Sequence, residues 1–308
     1  MSSLVRLARP ALAPYVLGLV VLGFAWAHWD RALTLRGGGP LAIVSLAWLA
    51  LHCGTLWLNA AVDLDEGPVL FGDPVRPPAW TAAAGYAALA LSVPIAFAAG
   101  TVAGAACAAS AVLAVLYSHP RTFWKAHPLG GPLINVIGYG LLSPLAGWSV
   151  VGVAVTPRTL VVWVLAGFAI LGTYLAAQAF QEAEDRARGY RTLVATHGPR
   201  AALLAARVAI GVAMVGGVAL AIAGWVPRFT ALGCLGWWWV DAHLARWSRL
   251  PGGGTEREAR TFTVRMLVTA LLGIALAFVE YAADSFAHRP VAGLGTVAGH
   301  PPDLDRGR

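Results

Sequence analysis

What most constrains this chain is a succession of apolar runs, each close to the roughly 20 residues a helix needs to cross the hydrocarbon core of a bilayer. Nine can be counted, at about 11–29, 41–62, 80–100, 101–118, 131–151, 159–181, 200–225, 229–247 and 263–283. Hydrocarbon offers no hydrogen bonds, so every backbone N–H and C=O in such a run must be satisfied within its own segment, and the run folds as a helix. A charged fraction of 12% against a hydrophobic fraction of 58% removes an ordinary soluble domain from consideration. The expectation is an all-α, polytopic transmembrane bundle of about nine helices, forming one domain over residues 1–283. The Gly- and Pro-rich stretch 284–308 reads as a disordered tail.

The net charge of +7 does not point to nucleic acid, because the cations are spread over loops and form no basic patch. They report topology instead. With the N-terminus inside, fourteen of the 22 Lys and Arg fall on the cytoplasmic side and seven on the other, as the positive-inside rule requires. The expected location is therefore a bacterial inner (cytoplasmic) membrane, crossed many times, with the N-terminus cytoplasmic and membrane lipid as the surroundings. Arg6 and Arg9 ahead of the first run, with Ala25-Trp26-Ala27 at its end, imitate a signal peptide. The run is longer than a signal core, so it is read as a retained span. Cys53, Cys107 and Cys234 lie in separate runs without metal-like spacing and read as small core residues.

Against this apolar background, ionisable groups at the ends of runs need a reason. Asn59, Asp63 and Glu66 follow the second run at i, i+4 and i+7, one face of a helix, with Asp65 beside them. Gln178, Gln181, Glu182 and Asp185 repeat the design after the sixth. Carboxylates are hard oxygen ligands, and Mg2+ is usually held by one or two of them together with substrate phosphates, so two acidic helix ends point to a site that grips a diphosphate through Mg2+. Both clusters fall on the cytoplasmic side of the topology.

Cations stand near both. Arg76 is the only one in the loop from 64 to 79, and Arg186, Arg188 and Arg191 follow the second cluster, where Gly189 should end the helix carrying Asp185. Lys125 is the single lysine of the chain. Asn135 and Tyr139, at i and i+4 in the fifth run, either line a cavity or bond a neighbouring helix. His52, seven residues before Asn59, reads as a helix–helix hydrogen bond more readily than as a ligand. Trp237, Trp238 and Trp239 read as interfacial or packing residues, with Asp241 beside them.

In this order and spacing the chain resembles the UbiA superfamily of intramembrane prenyltransferases, from Arg9-Pro10 to the ninth run. The family pattern is nine helices with an Asn-Asp-x-x-Asp-x-x-x-Asp motif after the second and an Asp-x-x-x-Asp motif after the sixth. Asn59, Ala60, Asp63 and Gly67 align with the first motif, with Arg76-Pro77 downstream. Gln181 and Asp185 align with the second, followed by Gly189, Arg191, Thr192 and Leu193. Tyr117 and Lys125 fit a Tyr and a Lys after the fourth helix. Ala60, Gly67 and Gln181 stand where the family has aspartates.

The resemblance implies a transferase that moves a prenyl group from an isoprenoid diphosphate to a lipophilic acceptor, aromatic or lipid, with Mg2+. Under it Asp63, Asp65, Glu66, Gln181, Glu182 and Asp185 would hold metal, with Asp63, Asp185 and Lys125 central to catalysis. Asn59, Arg76, Tyr117, Asn135, Tyr139 and Arg191 would contact substrate. The alternatives are a cyclase or hydrolase of the same fold, and a non-catalytic lipid-binding or assembly protein.

Overall fold

The computed structural model describes residues 3–28, 38–63, 69–72 and 75–287, and these are mostly helical, with an isolated β-bridge between Val69 and Gly72 and no strand among them. Asp65, Glu66 and Gly67 lie outside the described residues, as does the expected tail beyond Ala287. The helices are α1 (Ser3–Leu7), α2 (Ala13–Ala27), α3 (Gly38–Asp63), α4 (Thr81–Ala99), α5 (Thr101–Ser118), α6 (Gly130–Asn135), α7 (Ser143–Ser149), α8 (Pro157–Ala177), α9 (Glu182–Ala187), α10 (Leu193–Ile222), α11 (Gly233–Trp247) and α12 (Glu256–Ala287).

Seven helical stretches among the described residues are long and apolar enough to cross a membrane: Ser3–Ala27, Gly38–Asp63, Thr81–Ala99, Thr101–Ser118, Pro157–Ala187, Leu193–Ile222 and Glu256–Ala283. The other two expected runs are assembled from shorter pieces. Residues 131–151 form α6, a π-helical stretch Val136–Leu142 and α7. Pro144 has no N–H to return to the carbonyl of Gly140 and its ring crowds that carbonyl, so the preceding turns widen to π geometry. Ser143 Oγ donates to Gly138 O at 2.8 Å and accepts from Trp48 Nε1 at 2.9 Å. Residues 229–247 divide into a 3₁₀ turn, Arg228–Leu232, and α11.

Between apolar helices in lipid no hydrophobic force favours association, so small residues that bring backbones together carry the packing. A Cβ on Gly54 would lie 2.9 Å from the Gly85 carbonyl oxygen, which sets α3 directly against α4. Gly23 and Gly147 do the same for α2 and α7, where a Cβ would overlap the carbonyls of Pro144 and Val20 respectively. Two cores result. One joins α2, α3, α4, α5 and α7 through Val20, Val44, Trp48, Leu58, Leu89 and Cys107; the other joins α8, α10, α11 and α12 through Leu175, Leu203, Ile210, Leu244, Trp247 and Phe262. Large side chains such as Val112, Val208, Val215, Ile222, Leu235 and Trp238 stay exposed on the outer faces, as lipid-facing residues would.

Between the end of α8 and the start of α10 the chain does not continue as one helix. A 3₁₀ turn, Ala179–Gln181, joins α8 to α9. Gly189, at φ 73°, then ends α9: its N–H bonds Arg186 O at 3.0 Å, and the Tyr190 N–H bonds Asp185 O at 2.8 Å. This double bond pattern reverses the chain as a Schellman turn, with glycine at the left-handed position as expected. Thr192 caps α10, accepting from the Ala195 N–H at 3.3 Å, and α10 is broken at Gly198 (φ 81°) ahead of Pro199.

Candidate functional site

At the seam between the two cores lies a cavity of about 320 Å³. On its α3 side His52, Thr55, Asn59 and Asp63 recur at helical spacing and all line it. Facing them are Gln178, Gln181, Glu184 and Asp185 from the end of α8, the 3₁₀ turn and α9. A third wall comes from the segment after α5. There Phe123, at φ 45°, turns the chain so that Lys125 is buried, and the Arg191 N–H ties the segment down by donating to Ala126 O at 2.9 Å. The Phe123 ring meets Tyr190 edge-on at 5.3 Å.

Asp63 is the centre of the charges. Lys125 Nζ forms an ion pair with its Oδ1 and donates to Asn59 Oδ1 at 3.0 Å. Arg188 approaches the same carboxylate at 3.8 Å while its other nitrogen pairs with Glu184 at 2.6 Å. Tyr190 donates its hydroxyl to Asp63 Oδ1 at 3.4 Å. Burial, and then the negative charge of Asp63, push the Tyr190 phenol up to about 12, so it stays a donor at neutral pH. Asp185 is held by fewer groups. It is buried, and its Oδ2 accepts from Thr192 Oγ1 at 2.6 Å.

The rest of the wall is mostly apolar. Trp48, Leu51, Leu113 and Ile134 line it, together with the rings of Tyr117, Tyr139 and Tyr174. Asn135 donates to Gly131 O at 2.9 Å and lines the cavity with Tyr139, which the π-helical stretch carries. The cavity thus has a charged end and an oily body, matching a molecule with an anionic head and an apolar tail.

Of the residues expected from the sequence, Asn59, Asp63, Tyr117, Lys125, Asn135, Tyr139, Gln181 and Asp185 line this one cavity. Arg76 and Arg191 are exposed and do not line it; nor does Glu182, which pairs with Arg186 at 2.9 Å. The cause is local. The 3₁₀ turn advances the chain by three residues per turn rather than 3.6, so Glu182 leaves the face that Gln178 occupies, and the Schellman turn sends Arg188 and Tyr190 to the cavity in place of Arg191. The helix–helix hydrogen bond expected of His52 is not made. Its ring lies beside the backbone of Ala8 and Arg9, with neither nitrogen at bonding geometry. Arg9, which the sequence did not single out as a site residue, lines the cavity too.

Whether these residues suit a divalent cation depends on the donors present. Among the described residues no cluster of three or more His, Cys, Asp and Glu side chains is arranged to hold a metal alone. Asp63 and Asp185, with the amide oxygens of Asn59 and Gln181, nonetheless form a hard-oxygen set on one cavity wall and its opposite. That set fits Mg2+ shared with a phosphate group, the mode in which the protein supplies only one or two carboxylates.

The likeness to known proteins is clear in the fold. A UbiA homologue from Archaeoglobus fulgidus bound to DMAPP and Mg2+ is 19% identical, with a TM-score of 0.67 over 91% of this chain and 99% of that one. The same homologue bound to GPP and Mg2+ is 18% identical, with a TM-score of 0.67 over 91% and 100%. An apo UbiA homologue from Aeropyrum pernix K1 is 17% identical, with a TM-score of 0.55 over 89% and 97%. No curated protein matches at the level of sequence. The model of the UbiA prenyltransferase family matches residues 11–267, and the chain, a bundle of apolar helices with the family's fold, belongs to that family.

Proposed function

We propose that this membrane protein transfers a prenyl group from an isoprenoid diphosphate to a lipophilic acceptor, with Mg2+ bound between the diphosphate and the protein. The observation that carries this reading is the cavity itself, where Asp63 and Asp185 from separate helices share one end with Lys125 and Arg188, ahead of an apolar body. The homologues of A. fulgidus bound to DMAPP or GPP with Mg2+ support it by analogy of fold.

Prenyl transfer breaks the bond between C1 of the isoprenoid and the diphosphate oxygen, and the electron pair leaves with the diphosphate. Developing negative charge on that oxygen is what the site must stabilise. Lys125 and Arg188 stand at the charged end to neutralise it, and Asp63 and Asp185 with Asn59 and Gln181 are the groups that would hold Mg2+. When bound, Mg2+ adds Lewis-acid stabilisation of the leaving phosphate oxygens. Trp48, Leu51, Leu113 and Ile134 hold the hydrocarbon and keep water from the allylic carbon, leaving it to the acceptor nucleophile, which loses a proton as the new bond forms.

The test is turnover of radiolabelled prenyl diphosphates of several lengths by the chain in membranes, with Mg2+ titrated and products separated. Formation of a prenylated lipid upholds the reading, and release of the free alcohol or a cyclised hydrocarbon would replace it by a hydrolase or cyclase. One further reading rests on the sequence: Ala60 and Gln181 stand where the family pattern has aspartates, which suits a non-catalytic isoprenoid-binding protein. Saturable binding of a prenyl diphosphate without any product would support that.

A further inference from the structure

The bundle contains a second cavity, about 300 Å³, at the other end of the same helices. On α2, Val16 faces the charged cavity, whereas Leu22 and Trp26, with His28 just past the helix end, face the second one; on α8, Tyr174 and Ala177 face the first and Val162, Ala166 and Ala169 the second. Ser143 and Pro144, adjacent in sequence, face one cavity each. No Lys, Arg, Asp or Glu lines the second cavity among the described residues, and side chains such as Leu165, Met214 and Phe278 make most of its wall.

Thr230, Trp26 and Cys234 also line it, but three further polar side chains there each have an atom left without a hydrogen-bonding partner. His28, Trp163 and Tyr281 are 6%, 4% and 7% exposed, and His28 Nε2, Trp163 Nε1 and the Tyr281 hydroxyl find no hydrogen-bonding partner. A buried polar group without a partner is costly. His28 Nδ1 lies 2.9 Å from Phe24 O. A carbonyl oxygen only accepts, so Nδ1 carries the proton of the neutral ring and Nε2 is left as an acceptor. The unmet inventory is two donors, Trp163 N–H and Tyr281 O–H, and one acceptor, His28 Nε2. A water could answer such polar groups but would leave the apolar remainder of the wall uncovered, whereas a lipid hydroxyl answers them while its chain covers that wall.

From this inventory we infer that the second cavity is a binding site for an uncharged lipid carrying a hydroxyl group, a long-chain alcohol or phenol. A hydroxyl accepts from an N–H or O–H and donates to a bare imidazole nitrogen, so it answers both kinds of group present. A carboxylate or phosphate head would be buried without a counter-ion. The chain of such a lipid matches the apolar wall. This site is separate from the diphosphate cavity and does not depend on the prenyl-transfer reading.

The structure also supplies the means to close it. Gly217 and Gly273 line the cavity, and a Cβ at either meets nothing within 4 Å, so leucine side chains can grow there without backbone clash. The probe is a diazirine-bearing hexadecanol, photolysed with the purified full chain in nanodiscs; diazirine-bearing palmitate is its charged counterpart. The alcohol is expected to label peptides carrying His28 or Tyr281 saturably and the palmitate at least about tenfold less. Labelling should disappear in the Gly217→Leu, Gly273→Leu double variant, and Tyr281→Phe should weaken the alcohol by about fivefold, the loss of one buried hydrogen bond. Equal labelling by the two probes, or labelling that survives in the filled variant, overturns the site. Should the double variant fail to give a monodisperse protein, Tyr281→Phe and His28→Phe decide, since unchanged alcohol affinity in both overturns it equally.

Discussion

Asp63 and Asp185 reach one cavity from the two halves of the bundle, and they are held there in different ways. Asp63 ends a helix of 26 residues and is met by Lys125, Arg188 and Tyr190. Asp185 sits on a helix of six residues between a 3₁₀ turn and a glycine reversal, and its bond is to the neutral Thr192 hydroxyl. The α3 half is therefore charge-saturated and built to keep its cations in place, whereas the α9 half has a carboxylate with spare acceptor capacity. An arriving anion would draw Lys125 and Arg188 toward itself and release Asp63, so the two halves become equivalent only with substrate present.

The most severe way to break this comparison is to empty its saturated half. Asp63→Ala takes the Asp63 carboxylate away from the buried Lys125 ammonium, a change worth roughly 3–5 kcal/mol of stability, and it removes a ligand from the proposed metal set. Turnover of a prenyl diphosphate should fall below detection, with a lowered thermal midpoint. Asp63→Asn, which keeps the shape, should recover part of the midpoint and little of the rate. Full turnover in either variant would mean that the α3 half is structural.

Next come the cations, where structure and sequence point to different residues. Arg188→Ala should lower kcat/KM by about 10²-fold or more, the scale for losing a donor that stabilises developing charge. Arg191→Ala, altering a side chain exposed outside the cavity, should stay within about twofold of wild type, as surface changes usually do. Steady-state kinetics on the pair decides it, and the reverse ranking would restore Arg191 as the diphosphate contact. On the lightly held side, Thr192→Val removes the hydroxyl that orients Asp185. The expected loss is about 1 kcal/mol, close to fivefold in rate, read as a smaller effect than Arg188→Ala in the same assay.

These rankings show where the sequence was informative and where it was not. Asn59 and Asp63 were readable because α3 is an uninterrupted helix, so i, i+4 spacing translates directly into a shared face. Lys125 stood out as the single lysine in a chain that otherwise uses arginine. The α9 side obeys no such simple period. Its 3₁₀ turn takes Glu182 to Arg186 and its Schellman reversal exchanges Arg191 for Arg188. The Gly189 signal was present, and following its reversal residue by residue would have brought Arg188 and Tyr190 forward. Similarly, 131–151 reads as one uniform run, while Pro144 forces the π-helical stretch that carries Tyr139.

The smallest expected effect is also the one that tests whether the lightly held half can be strengthened. Of the three positions where related motifs carry aspartate, Gly67 lies outside the described residues, and the structure treats the other two, Ala60 and Gln181, differently. Ala60 is 6% exposed and does not line the cavity, so Ala60→Asp would bury a carboxylate among apolar neighbours. It should cost stability and leave the metal requirement unimproved. Gln181 lines the cavity one helical turn before Asp185, so Gln181→Asp places a second negative charge beside a carboxylate whose bond is to a neutral hydroxyl. Like charges at that spacing repel by a few tenths of a kcal/mol, and a divalent cation between them relieves the repulsion. The Mg2+ concentration at half-maximal rate should therefore drop by about two- to fivefold for Gln181→Asp, with the maximal rate little changed, since added ligand charge tightens a hard-cation site. A Mg2+ titration of wild type and both variants in the same lipid, at fixed prenyl diphosphate, reads the difference. An unchanged midpoint in Gln181→Asp would put position 181 outside the metal shell, and a lowered midpoint in Ala60→Asp would show that α3 turns a different face to the metal than the one bearing Asn59 and Asp63.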